Sequence, residues 1–196
     1  MATKSTFENW GWVTRALHWS IALTVFGMLA AGLYAGSVDQ STPAGELRYY
    51  SVIDVHKSFG LTILMLMAFR LLWRLAERTP TLPPTTQTWE KILARTSQVL
   101  LYICIFLLPV TGWLWASAYG EPVRFFGLKL PGLIHLNGVP ATLAHHIHII
   151  TAFILMAIVG LHVMGALKNH FVDRNNVLRK MLGLAPHPVG AARSTD

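Results

Sequence analysis

Charge is scarce in this chain. Asp, Glu, Lys and Arg make up 13% of its 196 residues, against roughly 25% in a soluble domain. Apolar residues make up 53%, more than a globule of this size can bury, because small domains keep a large surface for their volume. The shortage of charge excludes a soluble globule, and the apolar excess excludes a disordered chain. Cysteine is nearly absent. Cys104 stands alone, which excludes an intramolecular disulfide framework and a CxxC metal site; mid-span and without a partner, it reads as a packing residue. Acidic residues number 9 against 16 Lys and Arg, a formal net charge of +7. Such a sum could point to nucleic acid, but the basic cytoplasmic loops of a membrane protein give it equally, and no nucleic acid is expected here.

Charge-free gaps give the organisation. Twenty-three residues separate Arg15 from Asp39, 25 separate Arg95 from Glu121, and 38 separate Lys129 from Lys168. Each exceeds the roughly 20 residues that a helix needs to cross a bilayer. Pro131, Gly132, Gly138 and Pro140 place the start of the last helix near Leu143. Val52 to Trp73 is less pure, with Lys57 and Arg70 near its ends, where long basic side chains can snorkel. The sequence therefore predicts an all-α, integral membrane four-helix bundle: one domain over 1–196, with spans at about 15–36, 52–74, 94–117 and 143–168. The first span is too long for a signal-peptide core and lacks a clean cleavage site, so it reads as a retained span. Eleven Lys and Arg fall in the N-terminus, the second connection and the tail, and only Arg48, Arg124 and Lys129 in the other two connections. Both termini are therefore expected in the cytoplasm. All seven tryptophans lie near span ends, as in an aromatic belt. The Pro-rich stretch Thr79–Thr88 is a short linker.

Histidine carries the chemical information, because ionisable groups inside spans are costly and mark function. His18 and His162 lie near the cytoplasmic ends of spans one and four, and His56 and His148 near the outer ends of spans two and four. Spans one and four run antiparallel, as do two and four, so each pair can share a depth. His148 and His162 are 14 residues apart; at 100° per residue they point to nearly one face, about 21 Å apart along the axis. Two bis-histidine sites stacked across a membrane suit two haem b groups, with the four imidazoles on haem iron and no open coordination position. The competing reading of any one of them is a hydrogen-bonded packing histidine, and that of the span glycines is helix packing. His145 and His146 crowd the outer mouth beside His148; without a carboxylate or Cys nearby, a solvated loop end is favoured over a divalent-metal site. His135 and His187 read as connection or tail residues.

The order and spacing of several pieces resemble the bacterial cytochrome b561 family over nearly the whole chain. They are Leu17-His18-Trp19, Asp54-Val55-His56-Lys57-Ser58-Phe59-Gly60, Phe69-Arg70-Leu71-Leu72-Trp73-Arg74, Leu108-Pro109-Val110-Thr111-Gly112-Trp113, Phe125-Phe126-Gly127-Leu128-Lys129-Leu130-Pro131, Gly160-Leu161-His162, His170-Phe171 and Asn176-Val177-Leu178-Arg179-Lys180-Met181. The resemblance implies a multi-pass cytochrome of the bacterial inner membrane that moves electrons between a donor and the quinone pool. It assigns the inner haem to His18 and His162 and the outer haem to His56 and His148. It also implies ubiquinone or a similar quinone as substrate, near Lys168, Asn169 and His170. Many members have His-His where this chain has Asn169-His170, and a histidine where it has Gln98. Asn169 can hydrogen-bond a quinone carbonyl but cannot shuttle a proton.

Arg70 and Arg74 stand one turn apart on the inner half of span two, where a guanidinium fork could grip a haem propionate. Arg74 is equally a cytoplasmic anchor, and Lys57 is either a grip at the outer haem or a snorkelling residue. Four functions compete: a dihaem electron carrier, a superoxide-to-quinone oxidoreductase, a haem-bearing anchor for a soluble dehydrogenase or periplasmic electron-transfer partner, and a metal or proton transporter.

Overall fold

A computed structural model describes residues 2–81, 86–132 and 139–185. Four long helices dominate it: α1 (Trp12–Ser37), α2 (Pro43–Leu75), α3 (Thr88–Ala118) and α4 (Val139–Phe171). Each contains a stretch long and apolar enough to cross a membrane. Helix α2, with 33 residues, is about 50 Å long at 1.5 Å per residue, against roughly 30 Å of hydrocarbon. Its ends therefore stand clear of the apolar slab, and α2 starts at Pro43, nine residues before the expected start of the second span. The extra turns are explained by local chemistry: the Thr42 side chain accepts from Gly45 N and Pro43 fills the first helical turn. Gln87 and Glu90 form a capping box at the start of α3.

The bundle is apolar outside as well as inside, as lipid requires. Leu23, Leu72 and Phe153 are exposed, while Ile21, Val25, Ile63, Met67, Cys104, Leu155 and Ile158 form one central cluster. Cys104 is free and packed there. Helix α1 packs on α2, α2 on α3 and α3 on α4, whereas α4 stands off from α1 and α2. That stand-off leaves facing side chains, rather than close backbone, between α4 and the first two helices.

Two features were not anticipated from sequence. Strands β1 (Val123–Phe125) and β2 (Leu128–Leu130) form an antiparallel hairpin, with Val123 opposite Leu130 and Phe125 opposite Leu128. Its turn has positive φ at both central residues, 47° at Phe126 and 94° at Gly127, the type I′ geometry that suits hairpin twist. Val123 packs into a cluster with Leu61 and Ala116, and the buried Ser58 hydroxyl accepts from Phe126 N and lies 3.1 Å from the Arg124 carbonyl. The short helix α5 (Val177–Leu182) folds under the opposite end, where Trp19 Nε1 donates to the Met181 carbonyl.

The N-terminal arm also folds back onto the bundle. Ser5 donates to Glu77 through backbone N–H (3.1 Å) and hydroxyl (2.8 Å), and Thr14 donates to the same carboxylate. Trp73 Nε1 donates to Thr14 Oγ1, and Gly11 N to Ser5 Oγ. Burial pushes the Glu77 carboxyl upward, but the hydrogen bonds from Thr14 and Ser5 outweigh it and hold the group below its ordinary value.

Candidate functional site

Histidines from non-adjacent helices meet across the stand-off. At the end that carries α5 and the N-terminal arm, His18 on α1 faces His162 on α4, with ring centroids 6.3 Å apart and planes at 56°. At the hairpin end, His56 on α2 faces His148 on α4, again at 6.3 Å, with planes at 64°. Helix α4 thus supplies one ring to each pair. All four rings are half-buried.

The surroundings of each ring differ. His148 Nδ1 lies 2.9 Å from the Leu108 carbonyl and 3.2 Å from Thr111 Oγ1. Donation to that carbonyl puts the hydrogen on Nδ1 and leaves Nε2 with its lone pair available. Gly112 sits against the ring: a Cβ there would come within 3.2 Å of His148 Cε1. His56 Nδ1 is buried and meets no hydrogen-bond partner, and a Cβ on Gly32 would stand 3.6 Å from its Cε1. At the other pair, Arg70 directs its two terminal nitrogens at His18 Nδ1 (3.4 and 3.3 Å) and its Nε at the Tyr102 hydroxyl (3.2 Å). A guanidinium only donates, so His18 Nδ1 accepts in this arrangement.

The other residues singled out in the sequence divide into two groups. Arg74 turns away from the histidines and lies over the Trp10 ring, 5.3 Å from its centroid. Lys57 pairs with Glu121 at 2.6 Å, a contact between residues 64 apart that no local pattern signals. Lys168 pairs with Glu90 (2.6 Å) and Asp173 (2.9 Å). Asn169 donates to the Gly165 carbonyl and accepts from Asn175. His170 packs edge-on against Phe171, with Nδ1 buried and unpaired. Among the described residues no group of three or more His, Cys, Asp and Glu gathers as a metal site. His135 and His187 lie outside the described residues. Sequence reasoning missed the Tyr102 contact with Arg70 and the hydrogen bond from His148 to the Leu108 carbonyl, neither of which a local pattern signals.

A family model described as prokaryotic cytochrome b561 matches residues 9–184. The chain belongs to that family. Among its relatives, cytochrome b561 homolog 2 of Escherichia coli (strain K12) is 29% identical over 191 residues, covering 97% of this chain and 100% of the relative. Cytochrome b561 homolog 1 of the same organism is 25% identical over 170 residues, covering 85% and 92%. A protein named probable superoxide oxidase CybB, of Yersinia pestis, is 30% identical over 128 residues, covering 65% and 73%. This cytochrome is accordingly a multi-pass bacterial membrane protein of electron transfer that binds haem b.

Proposed function

We propose that the protein is a dihaem b-type cytochrome of the bacterial inner membrane, with both termini cytoplasmic, carrying electrons between a donor and the quinone pool. The observation that carries this reading is the pair of facing imidazoles repeated at two depths, each at 6.3 Å between ring centroids. A bond from imidazole nitrogen to a transition metal is about 2.0 Å, so two rings on opposite sides of one iron have centroids roughly 6 Å apart. The unpaired Nδ1 of His56 and the close approach of Gly112 to the His148 ring also fit a planar macrocycle held between helices. Haem, when bound, supplies one-electron chemistry at its iron, and the protein sets its orientation and electrostatics.

The chain's own residues then divide the work. His148 is held in the tautomer that offers Nε2, with the Leu108 carbonyl behind it. If His18 held haem iron through Nε2, its Nδ1 would carry the hydrogen and could no longer accept from Arg70, whose fork would then be available to a propionate. Lys57 and Arg74 are already engaged by Glu121 and Trp10, which favours Arg70 among the three as the propionate partner. At the cytoplasmic end, Lys168 and Asn169 are held in ion pairs and hydrogen bonds, and His170 keeps an unpaired ring nitrogen; we place quinone contact there.

A reduced-minus-oxidised spectrum with haem quantitation tests the reading. Two haems per chain are expected, and one per chain in a fully loaded preparation overturns it. His162→Ala should lose the cytoplasmic-end haem alone. The kinship with the probable superoxide oxidase of Yersinia pestis favours a second reading, in which superoxide is the donor. Rapid mixing of superoxide with oxidised protein and quinone decides between the two: haem reduction no faster than in buffer rejects superoxide.

A further inference from the structure

The hairpin-end pair is not isolated from the surface. The Trp115 indole on α3 stacks on the His145 ring at 4.3 Å between centroids and 28° between planes. The same indole lies 6.1 Å from the His148 ring, at 49°. His145 in turn stacks on His146 at 5.6 Å and 24°. His146 is exposed, and His145 and Trp115 are half-buried. Four rings therefore run without a break from the surface to one of the facing imidazoles.

Two simpler explanations fail to account for the arrangement. A tryptophan serving only the interfacial belt keeps its ring in the headgroup zone and its N–H toward water, whereas Trp115 commits one face to His145 and lies beside His148. A divalent-metal site needs several ligands converging on one point, and among the described residues no such group exists. Beside the stack, Val123, Leu61 and Ala116 pack together with Trp113 and Phe125 against them, and the Phe125 and Phe59 rings meet Phe126 in the hairpin turn; the rings that reach His148 are those of Trp115 and His145.

We propose that Trp115 and His145 form an electron port: a stacked aromatic bridge that carries an electron from a small water-borne one-electron donor to the group held by His148. The port rests on the dihaem reading above. Electron transfer through protein weakens steeply with each gap between unsaturated groups, and rings in van der Waals contact shorten those gaps. In the transfer the donor loses one electron and the haem iron gains it, going from ferric to ferrous. Trp115 and His145 end unchanged, and no bond or proton moves. Trp115 also braces His148, so its role must be separated from simple positioning.

The test uses the holo-protein in liposomes with the hairpin end outward and reduced hexaammineruthenium added outside, haem reduction being followed by stopped flow. Trp115→Leu is expected to slow the second-order rate about tenfold at unchanged haem content and midpoint potential. Trp115→Phe, which keeps a ring, should restore most of the rate. Equal rates for Trp115→Leu and the wild type overturn the port, as does a slowing that Phe does not relieve or that only follows a shifted potential. Should Trp115→Leu lose haem, His145→Leu carries the same comparison one ring further out. Absence of haem from the wild type sinks the dihaem reading instead, so the two failures are distinguishable.

Discussion

Gly112 shows how much one missing side chain can matter. A Cβ there would press on His148 Cε1 at 3.2 Å and Nδ1 at 3.3 Å, whereas a Cβ on Gly32 would meet His56 at an ordinary 3.6 Å. Gly112→Ala is therefore expected to push the His148 ring aside and lower the occupancy of a haem held by His56 and His148, while Gly32→Ala leaves the haem count near wild type. Pyridine haemochrome quantitation of the two variants checks the contrast. Arg70 gives a second expectation. A positive charge beside a haem favours its reduced form, so Arg70→Leu should lower the midpoint potential of a haem held by His18 and His162 by on the order of 60 mV, as read by redox titration. Arg70→Lys should recover part of the shift. The histidines were legible in sequence because helical periodicity and antiparallel spans fix both their depth and their face. The Arg70–His18 contact was not, because it depends on how two helices are rotated against each other, and the Lys57–Glu121 pair depends on the path of a connection.

Among the elements, three of the four long helices could be read from charge-free gaps and the second from its apolar centre between Lys57 and Arg70, since lipid demands long apolar stretches. Short elements could not. Strands of three residues such as Val123–Phe125 are below the length at which alternation is informative, although Phe126-Gly127 is a turn signal in retrospect. The N-terminal arm has no periodicity either; its place is set by Ser5, Thr14 and Glu77, which converge only in three dimensions. The Glu77 carboxyl titrates below its ordinary value in the folded chain, so its contribution to holding the arm is complete above the unfolded-state pKa, about 4.5. The contribution is lost as pH falls through the lowered folded value. Amide resonances of Ser5 and Gly11 should accordingly keep their folded shifts at neutral pH and move together under acid. In Glu77→Gln they should be displaced already at neutral pH and respond little to acid; resonances unchanged from wild type would show that the carboxylate does not pin the arm.

For the molecule as a whole, α4 stands off from α1 and α2, the two helices whose histidines it faces. Whatever fills that interval contributes to cohesion, and a ligand bound only by the folded state stabilises it in proportion to the logarithm of its concentration over Kd. Haem-depleted protein in detergent should therefore melt at a lower temperature than the loaded form. Added haem should restore the melting temperature; identical melting curves would show that the helices hold together without it.

Helix α4 contributes to both pairs, while α1 and α2 contribute to one each. During synthesis the first three helices emerge with two lone imidazoles and no counterpart for either. The counterpart of His56 arrives with residue 148 and that of His18 with residue 162, both on α4. Neither pair of facing imidazoles can form before α4 is inserted, and a chain truncated ahead of that helix would yield a membrane protein with neither pair.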